Sequence, residues 1–325
     1  MKKKTYACTH KKASYMQIII FFFIHISISI LPYEVSDDTS IVRIVNTLLS
    51  SSSINGALIG RLGNAEMIGI RLAKESQNSR EVHVAYNQLN RGPGVYATEE
   101  YNKQREVYSF MYRYMSAIDA CDALTCPGVF FERNNIAERL YYPRTAYILR
   151  VRYLLPHLLL PLFENCTVLV ICPFSRTIQD QWRNVRAGRV FGPNVHIPSS
   201  MQLKTVSTFY TTSGNTPPHS GWTETLHVLE QRIHDVGHFD VALIGAGGYG
   251  MPLGYYIKTQ LKRVAICTGG FTEAYFGIKY KRLVDQHAKL GLHSFLDNDT
   301  YWVYPRDEER PKNMSAFLYA NDVYW

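Results

Sequence analysis

Residues 240–250 read Asp-Val-Ala-Leu-Ile-Gly-Ala-Gly-Gly-Tyr-Gly, and this segment decides the fold class. Its first half is a short run of apolar residues, which is typical of a buried strand. Its second half opens a predicted helix and contains Gly245, Gly247, Gly248 and Gly250, so that the G-x-G-x-x-G spacing follows directly after a strand.

Glycines at a strand-to-helix turn let the backbone approach a ligand closely, and a helix amino terminus favours a phosphate. The segment therefore predicts a contact with a phosphate or nucleotide, and a tight structural turn is the alternative. A nicotinamide-dependent oxidoreductase is disfavoured, because the next predicted strand, 263–267, ends in Thr268-Gly269-Gly270 without a carboxylate.

Other short apolar runs outside this segment also read as strands. They are 57–60, 167–172 and 263–267, with 195–197 as a weaker candidate. Helical patterns occupy 99–118, 177–187 and 222–236. Strands that alternate with helices predict an α/β domain with a Rossmann-like, mostly parallel sheet and helices on both faces. We expect this domain to span residues 55–325.

The charge of the chain is concentrated at its amino end. The 325 residues carry a formal net charge of +8, but five lysines and no acid lie within residues 1–12. The remainder is close to neutral, which disfavours a nucleic-acid-binding surface. With 46% hydrophobic and 19% charged residues, the composition is that of a globular protein and excludes a disordered chain.

A mostly apolar stretch follows these lysines at 13–33, and it predicts a hydrophobic helix ahead of the domain. The favoured interpretation is a signal anchor of a single-pass type II protein, with a basic cytoplasmic tail at 1–12 and a stem or leading helix at 34–54. The body would then lie on the lumenal or extracytoplasmic side, in the Golgi or endoplasmic reticulum of a eukaryote. The alternatives are a cleaved signal peptide, or a buried helix or misassigned start with a cytoplasmic body.

The loop after the predicted strand 263–267 contains Gly269, Gly270, Thr272 and Glu273. Open α/β sheets bind ligands at the carboxyl ends of their strands, so this loop and the 245–250 loop are expected to form one wall of a pocket. Glu273 is either a polar anchor or base in that pocket or a solvated surface acid.

Two further loops follow predicted strands. Arg61, Gly63, Asn64 and Glu66 follow the strand 57–60. Glu66 either acts in the cleft, on a metal–diphosphate, sugar hydroxyls or a proton, or simply favours the helix dipole, with Asn64 as a helix cap. Pro173-Phe174-Ser175 follows the strand 167–172 and again places polar groups at a strand end.

Several of these blocks together resemble a known group. Residues 244–253, the Gly269-Gly270-x-Thr272 loop and Phe276-Gly277-Ile278-Lys279 resemble bacterial proteins associated with surface-polysaccharide synthesis. The Arg61-x-Gly63-x-x-Glu66 element looks like the Asp-x-Glu region of GT-D-fold glycosyltransferases, which use nucleotide sugars on a Rossmann-like sheet. The resemblance covers roughly residues 55–325.

The resemblance implies a catalytic role for Glu66 and Arg61, with Arg61 and loop amides stabilising a leaving diphosphate. It implies nucleotide-sugar binding by Gly63, Asn64, Pro173, Phe174, Ser175, Gly245, Gly247, Gly248, Gly250, Gly269, Gly270, Thr272 and Glu273. Three positions depart from the pattern: Asn64 replaces the Asp, Glu273 replaces a usual glutamine and Leu283 replaces a tryptophan. The loss of the Asp charge puts a Mn²⁺ or Mg²⁺ site at Glu66 in doubt.

The predicted function is that of a GT-D-like glycosyltransferase of the hexosyltransferase type. It would use a nucleotide sugar as donor and a glycan or glycoconjugate as acceptor, in polysaccharide biosynthesis. The alternatives are a non-catalytic glycan- or nucleotide-binding protein of the same fold and another phosphate- or nucleotide-dependent α/β enzyme.

Overall fold

The computed structural model of the protein describes residues 34–35, 37–125, 147–149, 154–185, 190–191, 195–212, 215, 217–280 and 301–311. The predicted basic tail at 1–12, the predicted anchor at 13–33 and Leu283 lie outside these residues. None of the helices in the described part combines the length and the apolar character that crossing a bilayer requires.

The described strands form one sheet in which every neighbouring pair is parallel. The order across it is β1-β4-β3-β2-β8-β7-β5-β6. The strands are β1 Glu34–Val35, β2 Ala57–Arg61, β3 Ala123–Thr125, β4 Tyr147–Leu149, β5 Thr167–Cys172, β6 Gln202–Ser207, β7 Val241–Ile244 and β8 Val264–Cys267.

A helix connects the strands in each crossover that the structure describes. The helices are α1 Asp38–Asn55, α2 Asn64–Glu75, α3 Ser79–Arg91, α4 Lys103–Asp119, α5 Pro156–Leu159, α6 Ser175–Val185, α7 Trp222–Asp235 and α8 Gly250–Tyr256. Short 3-10 segments lie at Glu100–Asn102, Leu160–Phe163, Gly247–Tyr249, Gly269–Phe276 and Asp307–Glu309, and a π-helical turn, Ile257–Leu261, extends α8.

Two hydrophobic cores lie on opposite faces of the sheet. Alternate residues of β2 enter different cores, with Leu58 in one and Ala57 and Ile59 in the other. Helices α2, α3, α4, α7 and α8 pack in the first core, and α1, α5, α6 and the segment Gly269–Phe276 pack in the second. The prediction of a parallel α/β sheet with helices on both faces is confirmed.

The predicted strands are found within one residue at β2, β5, β7 and β8. The prediction of a strand at 195–197 is wrong, because the structure has its strand at β6 instead. β6 lies at the edge of the sheet, where only Val206 of its six residues is buried. An edge strand lacks the continuous apolar run of a central strand, so its sequence carries a weaker signal.

The chain leaves the neighbouring strands β2 and β8 toward opposite faces of the sheet. After β2 it enters α2 in the first core, and after β8 it enters Gly269–Phe276 in the second core. Where neighbouring strands send their connections to opposite sides, a crevice opens at their carboxyl ends. The topology therefore places a cleft beside β2, β8 and β7.

A buried carboxylate fixes two of the helices that pack against each other in the first core. Glu106 of α4 is 1% exposed, and it accepts hydrogen bonds from Thr223 at the first turn of α7, from N at 2.9 Å and from Oγ1 at 2.6 Å. Gly221, which precedes α7, provides no side-chain cap of its own. Glu106 therefore caps α7 from a distant part of the chain.

We expect Glu106→Ala to lower the free energy of unfolding by about 2–3 kcal/mol, because it leaves the partly buried donors of Thr223 at the start of α7 without an acceptor. Glu106→Gln keeps an acceptor oxygen and should lose clearly less. Urea unfolding followed by circular dichroism measures both values. Equal stability of the alanine variant and the wild type would contradict the capping role.

Candidate active site

A cleft of about 320 Å³ opens at the carboxyl ends of β2, β7 and β8, and we call it the first cleft. Its lining comes from the loops after these three strands and from α4. The lining residues are Arg61, Leu62, Gly63, Asn64, Ala65, Glu66, Tyr114, Ile244, Gly245, Ala246, Gly247, Gly250, Met251, Cys267, Gly269 and Gly270.

Arg61 is the last residue of β2, and its side chain reaches the loop after β8. Its Nη1 donates a hydrogen bond to the carbonyl of Thr268 at 3.2 Å. Gly269 has a left-handed backbone with φ of +60°, and a Cβ at this position would lie 1.6 Å from Nη1 of Arg61. Glycine is therefore needed here both for the backbone conformation and for the space that the guanidinium fills.

Glu66 lies in the first turn of α2, and its carboxylate folds back over the backbone of Gly63. A Cβ on Gly63 would come within 1.9 Å of Oε2 of Glu66. Burial raises the pKa of the Glu66 carboxyl, while its own backbone N–H and the charge of Arg61 act in the opposite direction. The carboxyl thus has a raised pKa at a helix amino terminus that also lines the cleft.

Tyr114 of α4 holds the loop that carries these two residues. Its hydroxyl accepts a hydrogen bond from the N–H of Gly63 at 3.2 Å and donates to the carbonyl of Arg61 at 3.4 Å. Burial, together with the charge of Glu66, raises the pKa of Tyr114 well above its usual value. The phenol therefore stays protonated and can hold both contacts at neutral pH.

The two glycine-rich loops pack tightly against each other. A Cβ on Gly245 would lie 2.3 Å from Oγ1 of Thr272. Thr272 is fully buried, and its hydroxyl bonds Oγ1 of Thr268 at 2.6 Å and the carbonyl of Gly269 at 2.8 Å. The contact between the two loops therefore already requires glycine at position 245. Close approach of a ligand, which the motif suggests, is not needed to explain this glycine.

Glu273 lies beneath the cleft wall and is 2% exposed, so the interpretation as a solvated surface acid is excluded. Its Oε1 accepts a weak hydrogen bond from Sγ of Cys172 at 3.9 Å, and its Oε2 has no hydrogen-bond partner within the described part of the chain. Burial raises the pKa of Glu273 to about 7, against the opposing effects of its own backbone N–H, the Arg61 charge and Cys172.

The Pro173-Phe174-Ser175 segment lies at a different place on the same edge of the sheet. Pro173 and Ser175 line a second cleft of about 580 Å³, at the carboxyl ends of β5 and β6. Phe174 is buried, and its ring centroid is 5.9 Å from that of Tyr210. These residues are not brought together with the glycine-rich loops in the first cleft.

The first cleft brings together nine of the residues that the sequence suggested: Arg61, Gly63, Asn64, Glu66, Gly245, Gly247, Gly250, Gly269 and Gly270. Thr272 and Glu273 lie beneath it, and Gly248 packs against Pro93, whose carbonyl accepts its N–H at 3.0 Å. Tyr114, Met251 and Cys267 were missed. Helical spacing indicates that Tyr114 is buried, but it does not indicate which loop its hydroxyl meets.

The residues of the first cleft offer little for a divalent cation. Glu66 is the one acidic side chain among its described lining residues, and it is turned toward its own helix. Over the described ranges, no group of three or more His, Cys, Asp or Glu side chains is placed to hold a metal ion. A single carboxylate falls short of the several oxygen ligands that Mg²⁺ or Mn²⁺ requires, so these donors do not form a protein-built metal site.

No protein-family model matches the chain. No curated protein matches it either. Among solved structures, the chain is similar to one described as "A New Glycosyltransferase (DUF1792) from Streptococcus sanguinis", at 12% sequence identity and a TM-score of 0.44, over 86% of this chain and 96% of that chain. The chemistry of the first cleft therefore has to follow from its own residues.

We expect the stability of the protein to decline as the pH rises from about 4.5 to about 7, because folded Glu273 keeps a proton that the unfolded chain releases. The contribution is complete below pH 4.5, and about 3 kcal/mol of it is lost by pH 7. Glu273→Gln removes this dependence, so the variant should exceed the wild type in stability at pH 8 and match it near pH 4.5.

Denaturant unfolding of wild type and Glu273→Gln at a series of pH values measures this difference. Glu99→Gln is the matched control, since it makes the same chemical change at an exposed position. Parallel pH curves for wild type and Glu273→Gln would show that folding does not raise the pKa of Glu273.

Gly269→Ala and Gly247→Ala form a matched pair at the first cleft. Both glycines have positive φ, so alanine costs about 1–2 kcal/mol of backbone strain at either position. Only at Gly269 does the new Cβ meet Arg61, whereas at Gly247 the nearest atom is the Pro93 oxygen at 3.6 Å. We expect Gly269→Ala to lower the free energy of unfolding by at least about 1 kcal/mol more than Gly247→Ala, as measured by urea unfolding. Equal losses in the two variants would mean that the Arg61 guanidinium moves aside freely.

Proposed function

We propose that this chain is a nucleotide-sugar-dependent glycosyltransferase and that the first cleft holds the donor. The observation that carries this proposal is the convergence of Arg61, the amino terminus of α2 and Glu66 on one cleft. A guanidinium and a helix amino terminus together favour a diphosphate, and a carboxyl with a raised pKa suits proton transfer. The resemblance of the Arg61-x-Gly63-x-x-Glu66 element to the Asp-x-Glu region of GT-D-fold enzymes supports the same assignment.

In this proposal the hydroxyl of a glycan or glycoconjugate acceptor attacks the anomeric carbon of the donor sugar. The bond between that carbon and the diphosphate oxygen breaks, and its electron pair leaves with the diphosphate. Arg61 and the N–H groups at the start of α2 stabilise the charge that develops on the leaving group. Glu66 takes the proton of the acceptor hydroxyl, once its carboxylate turns from its own helix into the cleft.

One observation favours a second candidate, a nucleotide-binding protein without turnover. The Glu66 carboxylate interacts with its own backbone N–H, which is a sufficient structural role for an acid in the first turn of a helix. Asn64 is exposed beside it and supplies no second carboxylate. In this alternative the first cleft would bind the nucleotide through Arg61, and Glu66 would only stabilise α2.

We expect calorimetry on the full-length chain in detergent to detect binding of one nucleotide diphosphate sugar from a panel of uridine, guanosine and thymidine donors. Arg61→Ala should weaken this binding at least about tenfold, since it removes a charge-assisted contact with the diphosphate. Arg61→Lys keeps the charge, so its affinity for the donor should lie between those of the wild type and Arg61→Ala. Donor binding that is indifferent to Arg61→Ala would overturn the proposal.

Glu66→Gln separates the two candidates. If Glu66 takes the acceptor proton, the variant binds the donor as the wild type does and loses turnover to about 1% or less. If the protein only binds, the wild type shows no transfer to any acceptor, and Glu66→Gln changes only the stability of the fold. Running the series with and without Mn²⁺ measures whether a cation contributes to binding.

A further inference from the structure

The second cleft lies on the same edge of the sheet as the first and is the larger of the two, at about 580 Å³. Strands β5 and β7, which contribute to different clefts, are neighbours in the sheet. The segment that follows β6 also touches the glycine-rich segment after β7, where the Tyr249 hydroxyl donates to Oγ1 of Thr211 at 3.2 Å. The two clefts thus lie next to each other along the edge formed by the carboxyl ends of the strands, which is where open α/β sheets bind ligands.

One wall of the second cleft is built by a distant segment of the chain. Glu309 places its carboxylate at the amino terminus of α6, where Oε1 accepts from the N–H of Arg176 at 2.7 Å and Oε2 from the N–H of Thr177 at 3.2 Å. The Thr177 hydroxyl also donates to Glu309, and Arg306 forms an ion pair with Asp180 of the same helix. These contacts fix the wall without any ligand.

The charges that line the second cleft are balanced. Arg176 and Arg310 are matched by Glu308 and Glu309, and the helix amino terminus that attracts anions is already occupied by Glu309. The lining therefore has no net charge, which favours a neutral ligand over a strongly anionic one. The remaining lining suits a neutral polar molecule, since it offers hydroxyls, an amide and the partly exposed rings of Phe209 and Tyr210.

Thr208 gives the second cleft an unsatisfied hydrogen-bonding group. It follows β6, lines the cleft and is only 7% exposed. Its Oγ1 is buried and has no hydrogen-bond partner among the residues that the structure describes. A buried hydroxyl without a hydrogen-bond partner lowers the stability of the protein. A ligand hydroxyl that bonds to it would therefore contribute the full free energy of that hydrogen bond to binding.

We propose that the second cleft is the acceptor subsite and that it binds a neutral, polyhydroxylated glycan, with Thr208 as a recognition residue. This inference rests on the proposed function, in which the first cleft holds the donor. The balanced charge of the lining disfavours a strongly anionic acceptor. The combination of hydroxyl, amide and aromatic groups matches the alternating polar and apolar faces of sugar rings.

The test uses an array of immobilised oligosaccharides, neutral and acidic, probed with the full-length chain in detergent. We expect retention on neutral glycans. Thr208→Val should weaken it roughly fivefold, the loss of one neutral hydrogen bond, while Thr208→Ser keeps the hydroxyl and stays near the wild type. The melting temperature of Thr208→Val should be equal to or higher than that of the wild type, because its hydroxyl has no partner to lose.

The results separate this inference from the proposed function. Retention only on acidic glycans, no retention on any glycan, or equal binding by Thr208→Val and the wild type would overturn the acceptor subsite. Uridine diphosphate titrated into the same variants should bind as to the wild type, since Thr208 does not line the first cleft. Thr208-dependent glycan binding without any nucleotide binding would leave a glycan site in place and reject the transferase.

Discussion

The guanidinium of Arg61 crosses from the end of β2 to the loop after β8, and the first cleft depends on this contact. Its hydrogen bond to Thr268 joins two strands whose connections leave toward opposite faces of the sheet. The guanidinium occupies the space that a side chain at position 269 would fill, so glycine is needed there. Tyr114 then fixes the backbone on the other side of Arg61, so the cation is positioned from both ends.

The same cation lies near two carboxyls with raised pKa values. Burial raises the pKa of both Glu66 and Glu273, and Arg61 offsets only part of that effect in each case. A diphosphate placed beside Arg61 adds negative charge near both groups and raises both pKa values further. Anion binding at the first cleft would therefore be linked to proton uptake by these carboxyls, and Glu273, whose pKa is raised to about 7, would take part in this linkage near neutral pH.

The sequence was sufficient to predict the central strands, because β2, β5, β7 and β8 are buried on both faces and read as apolar runs. It also predicted that the loops after β7 and β8 form one wall of a pocket, since parallel strands end at the same edge, and it left open whether the loop after β2 takes part. It was insufficient for the edge strand β6 and for the burial of Glu273. Glu273 is buried against residues distant in sequence, such as Cys172, about a hundred positions earlier, and such a contact leaves no local pattern.

The glycine motif shows how residues that line a cleft can be predicted for an incomplete reason. Gly247 and Gly250 line the first cleft, as a phosphate-binding turn requires. Gly245 lines it too, but Thr272 fills the space where its side chain would be, and Gly248 is held by Pro93. Packing and ligand approach demand the same residue type, so spacing alone does not separate them.

The helix amino termini near the sheet edge differ in what caps them, and this difference singles out the first cleft. α7 is capped by Glu106 and α6 by Glu309, and each of these acids reaches in from another part of the fold. Displacing either one would break a tertiary contact. α2 has no side-chain cap at Gly63, and the acid beside its first turn is its own Glu66, which lies against Gly63 rather than reaching in from another element. In the proposed function, the diphosphate would bind at the amino terminus of α2, beside Arg61, and Glu66 would turn from its own helix toward the acceptor hydroxyl without breaking a contact between distant elements.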